Sequence, residues 1–234
     1  GMSARDVQVS GSYQPIPFDA DGDGRGDVLW YAPGTRADAL WLGEGSGRFR
    51  SVPMRIDGHY DRVVPLDLDG DGDDDLLWYA TSSGVAAVWR ARGDGAFSSL
   101  SIAPGVGRQP IILDSDADGQ DAIFWYGPGS RPDAAWWWNG SSFSTQAKRV
   151  SGVYTPLVGD FDANGREDIF WYAPGPAADA VWLYPSRGGV MTVAVRVGGT
   201  YQPLVGDYDG DGNDDVVWYG AGSAADAVWY GGPL

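Results

Sequence analysis

A long internal repeat constrains this chain more than any other feature. The stretch "DADGDGRGDVLWY", Asp19 to Tyr31, returns as "DLDGDGDDDLLWYA" from Asp67, "DSDADGQDAIFWYG" from Asp114, "DFDANGREDIFWYA" from Asp160 and "DYDGDGNDDVVWYG" from Asp207. The starting aspartates lie 48, 47, 46 and 47 residues apart, so five copies account for all 234 residues and leave no linker or second domain. At such a period each copy is one supersecondary unit that must bury its apolar face against its neighbours.

Every copy has the same internal order. A short apolar segment such as "YQPIPF" or "YQPLVG" precedes the acidic stretch, and an apolar run ending in Trp-Tyr follows it. A Pro-Gly or Gly-Ser turn then leads to "ADAxW", and an alternating segment such as "FRSVPMRI" or "VMTVAVRV" closes the copy. Segments this short, rich in Val, Ile, Trp and Tyr and bounded by Gly, Pro, Asp and Ser, read as strands. Four antiparallel strands per copy with radial repetition predict an all-β, five-bladed β-propeller forming one domain over residues 1–234. The last copy stops at "VWYGGPL", short of a fourth strand, while "DVQVSG" before Tyr13 is similar to "VAVRVGG" before Tyr201. Residues 4–10 are therefore expected to supply the outer strand of blade five and close the ring, which would remove exposed sheet edges.

The acidic stretch crowds carboxylates together. Such like charges repel by roughly 1 kcal/mol per pair at 4 Å in water and about 4 at an effective dielectric of 20. A bound cation resolves this, because D-x-D-x-D-G-x-x-D sets side-chain oxygens at positions 1, 3, 5 and 9, with a glycine for the sharp turn at 6. Position 7 can add a backbone carbonyl, and hard oxygen ligands in a flexible loop are what Ca²⁺ takes. The expected ligands are Asp19, Asp21, Asp23, Arg25 and Asp27; Asp67, Asp69, Asp71, Asp73 and Asp75; and Asp207, Asp209, Asp211, Asn213 and Asp215, with position 7 acting through its carbonyl. The fourth loop offers Asp160, Asp162, Asn164, Arg166 and Asp168; its Asn164 keeps an oxygen but loses a charge. The third offers Asp114, Asp116, Asp118 and Gln120; Ala122 stands at position 9 and Asp121 is displaced by one, so this site is expected to be the weakest of up to five. An EF-hand would need a glutamate at position 12, where this chain has Trp30, Trp78, Trp125, Trp171 and Trp218 inside a strand pattern.

The pattern "PLVGDYDGDGNDDVVWYG", echoed in every copy, resembles the FG-GAP/VCBS repeats of integrin-α-like β-propellers. The resemblance implies a Ca²⁺ loop between the first and second strands of each blade, and functions among glycan-binding lectins and adhesion or scaffold modules.

A second aromatic series, Trp41, Trp89, Trp136, Trp182 and Trp229, follows 11 residues behind the first. Asp38, Asp179 and Asp226 precede it in "ADA" motifs and Asp133 in "PDA", with Ala86 breaking the set. A tryptophan face beside a carboxylate, repeated around a ring, suits a sugar: a π-face for the pyranose and an acceptor for its hydroxyls. The competing reading is packing, with the aspartates held by backbone. Asp27 within "GRGD" is a loop ligand, not an adhesion signal. His59 is the only histidine and the only glutamates are Glu44 and Glu167. Most other acids are committed to the loops, so no enzyme is expected.

Thirty-two acids against sixteen Lys and Arg give a formal charge of −16, which argues against nucleic-acid partners, since phosphate binding needs clustered bases. No apolar run reaches transmembrane length, so no membrane insertion is expected. There is no cysteine, which excludes disulfides and thiolate metal sites. Lys148 is the only lysine, and arginine dominance points to a GC-rich bacterial genome. The resulting expectation is a secreted, monomeric, multivalent glycan-binding module stabilised by Ca²⁺; the alternative is a scaffold or protein-adhesion module of a larger secreted protein.

Overall fold

The computed structural model describes Ala4 and residues 6–232, and all regular structure among these residues is strand. The first antiparallel sheet runs β1 (Gln14–Phe18), β2 (Asp27–Tyr31), β3 (Asp38–Gly45) and β4 (Arg48–Met54). The second runs β5 (Arg62–Leu66), β6 (Asp75–Ala80), β7 (Val85–Ala91) and β8 (Phe97–Ile102). The third comprises β9 (Gln109–Leu113), β10 (Ala122–Tyr126), β11 (Asp133–Trp138) and β12 (Phe143–Lys148). The fourth comprises β13 (Thr155–Gly159), β14 (Asp168–Tyr172), β15 (Asp179–Leu183) and β16 (Met191–Val195). The fifth has only β17 (Gln202–Gly206), β18 (Asp215–Tyr219) and β19 (Ala227–Trp229). Sequence neighbours pair throughout, and registers such as Phe18↔Asp27 and Gly159↔Asp168 set each acidic loop as the closing turn of the first hairpin.

The chain forms two compact units, Gly1–Gly107 with two sheets and Arg108–Leu234 with three. In each, second strands are buried on both faces: β10 and β14 are buried at every position, as is β6, so these strands read as unbroken apolar runs. Outer strands β4, β8 and β12 are largely exposed and correspondingly polar. Sheets within a unit are joined by aromatics. Trp78 of β6 packs edge-on against Tyr31 of β2 at 5.2 Å between centroids, Trp171 of β14 meets Tyr126 of β10 at 5.1 Å, and Trp218 of β18 meets Tyr172 of β14 at 4.9 Å. Such pairs contribute about 0.5–1.5 kcal/mol each beyond the area they bury.

The tyrosine of each Trp-Tyr pair also carries a polar link. Tyr172 Oη donates to Gly199 O at 2.9 Å and accepts from Tyr201 N at 2.7 Å, fixing the segment that enters the next sheet. Tyr31 and Tyr126 do the same through Gly58 and Tyr60, and through Gly152 and Tyr154. The fifth copy, Tyr219, is instead 49% exposed.

Four strands per copy hold for four sheets, but the fifth differs from expectation. Residues 4–10 form no strand among the described residues (Arg5 lies outside them), and the fifth sheet keeps three strands. Asp6, Val7 and Gln8 instead lie beside Trp41 of β3, lining a groove with Glu44, Arg48 and Phe49.

Candidate metal centres and aromatic grooves

All five acidic loops adopt one backbone. Position 4 is left-handed in every copy, at Gly22, Gly70, Ala117, Ala163 and Gly210, and so is the glycine at position 6. The position 1 carboxylate folds the loop over itself: Asp19 accepts from Gly24 N at 2.8 Å, Asp160 from Gly165 N at 2.7 Å and Asp207 from Gly210 N at 2.7 Å. Position 5 then turns the chain, with Asp23, Asp71, Asp118, Asn164 and Asp211 accepting from the amide two residues on.

Carboxylate oxygens converge in each loop. Within 4.8 Å of one another lie Asp19, Asp21 and Asp27; Asp67, Asp69 and Asp71; Asp114, Asp116 and Asp118; Asp160, Asp162 and Asp168; and Asp207, Asp209 and Asp215. Five acidic triplets thus have a spacing compatible with the 2.3–2.6 Å oxygen shell of Ca²⁺. A second observation fits the cation: the buried Oδ1 atoms of Asp21, Asp69 and Asp162, all at position 3, have no hydrogen-bond partner among the described residues. A buried acceptor left unpaired is costly unless something positive meets it.

The electrostatics agree. Burial, then the neighbouring loop aspartates, raises the carboxyls of Asp21, Asp69, Asp116 and Asp162 above the ordinary range. Burial pushes Asp75 and Asp168 up to about 7. These position 9 groups have a further task. Asp27 accepts from Ala20 N at 2.8 Å and Gly43 N at 2.7 Å, while Asp168 accepts from Phe161 N at 3.1 Å and Tyr184 N at 2.9 Å, tying the loop to the end of the third strand. In the third loop Ala122 is buried and offers no such tie; its triplet is built from positions 1, 3 and 5, as is that of the second loop, where Asp75 does stand at position 9. Arg90 reaches Asp69, placing a guanidinium beside the second loop.

Position 8 was not singled out in the motif, yet its acids connect neighbouring loops. Asp74 accepts from Asp19 N at 2.7 Å while donating its own amide to Asp19 O at 2.6 Å. Glu167 makes the same reciprocal pair with Asp114, and Asp214 with Asp160. The sequence signal was an acid directly before the position 9 aspartate. Asp121 holds that position in the third loop.

The expected tryptophan–aspartate pairs separate. Asp38 is 4% exposed and accepts from Ala32 N and Ile56 N, both at 2.7 Å; Asp133 takes Gly127 N and Val150 N, and Asp179 takes Ala173 N and Val197 N. These carboxylates close their own hairpins and hold the exit of the fourth strand, so they have no oxygen facing a sugar. Asp226 is exposed but accepts from Gly220 N at 2.8 Å. Ala86 leaves the second sheet without this tie, and there β6 and β7 pair further, to Ala80↔Val85.

The tryptophans themselves stay half-buried. Each stacks edge-on or tilted against the Trp of its own second strand, as Trp41 on Trp30, Trp89 on Trp78, Trp136 on Trp125 and Trp182 on Trp171. Three of them line surface grooves: Trp41 one of about 440 Å³ with Phe49 and Ser51, Trp89 one of about 190 Å³ with Met54, Phe97 and Ser99, and Trp229 one of about 210 Å³ with Val193, Val195 and Tyr230.

Residues 19–78 match the FG-GAP-like repeat. None of the curated proteins matches the chain. Among solved structures, a lectin of Agrocybe aegerita with specific recognition of non-reducing terminal N-acetylglucosamine is similar over 89% of this chain and 74% of its own, with a TM-score of 0.56 and 17% identity. The Tc holotoxin pore of Photorhabdus luminescens is similar over 95% of this chain, with a TM-score of 0.61 and 18% identity. The chain spans only 11% of that toxin chain. At these identities the likeness is one of fold.

Proposed function

Taking the FG-GAP-like repeat as premise, we propose that this chain is a Ca²⁺-stabilised, non-enzymatic binding propeller of five blades that engages glycans at several equivalent grooves. One Ca²⁺ per loop would be held by the side chains of positions 1, 3 and 5, the carbonyl of position 7 and, except in the third loop, the carboxylate of position 9. The ion would offset the carboxylate repulsion and hold the loops that connect the strands; it needs no part in any reaction.

The observation that carries the glycan reading is the recurrence of a half-exposed tryptophan in a surface groove, at Trp41, Trp89 and Trp229. An aromatic face flanked by hydroxyls or charged groups, such as Ser51 and Arg48 beside Trp41, is suited to stacking a pyranose and bonding its rim. The likeness to an N-acetylglucosamine-binding lectin supports the same class. Weak sites repeated on one molecule gain affinity through avidity. In this reading the ring closes when residues 4–10 pair with β19. Val7 lines the Trp41 groove much as Met54 lines that of Trp89, which is the place of a preceding sheet's fourth strand. Function outside the cytoplasm, where free Ca²⁺ is abundant, follows from the metal reading.

A broad glycan array probed in millimolar Ca²⁺, with an EDTA control, tests the proposal. Binding to one sugar family that falls with EDTA and with Trp89→Ala supports it. A blank array from folded protein would turn the reading to a protein-binding scaffold, the role for which the likeness to a toxin assembly speaks.

A further inference from the structure

One cavity has no place in these readings. Gly129, Ser130, Arg131 and Pro132 of the β10–β11 turn face Lys148 at the end of β12, and Arg149 and Val150 after it, around a hollow of about 190 Å³. Three cations meet there. Arg131 donates only to Pro128 O at 3.3 Å and Arg149 only to Ser151 Oγ at 3.3 Å among the bonds of their side chains, and none of the three forms an ion pair among the described residues. The acid nearest in sequence, Asp133, is 2% exposed and has both oxygens on backbone amides.

The other repeats set this apart. At the same turn of the first repeat Arg55 is paired with Asp57 at 3.0 Å. The third repeat has Ser151 in place of that aspartate, while adding Lys148, the chain's only lysine. The fourth has Val195 in place of Lys148 and Ala177 in place of Arg131. A chain with twice as many acids as bases thus gathers three bases in one hollow without the aspartate that pairs with the corresponding arginine in the first repeat.

We propose that this hollow binds an acidic sugar residue, one carrying a sulfate or carboxylate group. The proposal rests on the glycan reading and names a ligand class and site within it. Two guanidinium forks and an ammonium match an oxyanion, Arg in bidentate fashion. The Ser130 hydroxyl lies on the rim for the sugar's own hydroxyls. The hollow is of a size for one sugar unit, not a chain lying along it.

Calorimetric titration of the full, Ca²⁺-loaded chain tests this with four probes: 6-sulfated N-acetylglucosamine, glucuronic acid, unsubstituted N-acetylglucosamine and inorganic sulfate. The acidic sugars are expected to bind about tenfold tighter than the neutral one, with a gap that narrows in high salt. Lys148→Gln and Arg131→Ala should each abolish the gap and leave neutral-sugar binding and the melting temperature unchanged, while Lys148→Arg should restore it. Equal affinity for acidic and neutral sugars, or a gap that survives Lys148→Gln, overturns the proposal. Inorganic sulfate binding as tightly as the sulfated sugar overturns its saccharide part. A blank neutral-glycan array alongside Lys148-dependent binding of the acidic sugars would fell the multivalent reading while supporting this site.

Discussion

Position 4 of the acidic loops shows how a single residue bears the strain of a shared backbone. Three copies have glycine there, but Ala117 and Ala163 hold φ of 56° and 62°. An L-residue with a Cβ in that region costs about 1 kcal/mol or more, offset in part by the entropy a glycine loses on folding. Ala163→Gly is therefore expected to stabilise the chain by up to about 1 kcal/mol, read as a higher denaturant midpoint at unchanged slope. That acids converge in each loop was legible in the sequence because a loop's chemistry is local: positions 1 and 3 share every triplet, joined by position 5 in two loops and by position 9 in three. The roles of Asp38, Asp133 and Asp179 were not, because a carboxylate facing a groove and one capping two amides have the same spelling. Only the amides of Ile56, Val150 and Val197, some 17 or 18 residues downstream, decide between them.

For the strand elements, the Trp-Tyr runs were readable as strands from their length, composition and flanking turns, and β6, β10 and β14 prove to be buried at every position. The acid at the head of β6 and β14 links folding to pH. Asp75 and Asp168, pushed up to about 7 from 3.8, bind protons in the folded state that the unfolded chain has already released between those values. Without metal, stability should therefore rise as pH falls from about 7 towards 4. Saturating Ca²⁺ should oppose this trend, since the ion needs the ionised carboxylates and protons compete with it. Melting curves at pH 5 and 7.5, with EDTA and with Ca²⁺, check the sign: a metal-free protein less stable at pH 5 would refute the assignment. At pH 7.5 Ca²⁺ is expected to raise the melting temperature substantially, by about 2.7 kcal/mol per site at 100 times its Kd.

Across the whole chain, five divalent ions would remove ten of the sixteen excess negative charges. The repeat count and the strand order were evident from periodicity, but the fifth sheet was not: β19 ends at three residues, with Tyr219, Val228 and Tyr230 exposed. In the other copies the fourth strand and the segment leaving it meet the corresponding positions, as Gly199 and Tyr201 meet Tyr172. Under the closed-ring reading, deleting residues 4–10 should lower the melting temperature and promote aggregation through the bare edge, seen by light scattering. A truncated chain that remains an equally stable monomer would refute closure.

The links made by Asp74, Glu167 and Asp214 bear on how such a chain could have arisen. Each of these loop joints is carried by the later copy, whose acid and amide grip the main chain of the earlier one, where any residue but proline would serve. A duplicated segment would thus bring this fastening along and find the other, a tyrosine hydroxyl such as that of Tyr31, Tyr126 or Tyr172, already present in the host it lands against. Growth by tandem copying is then open from the first event, since each copy brings one half of the fastening and offers the other.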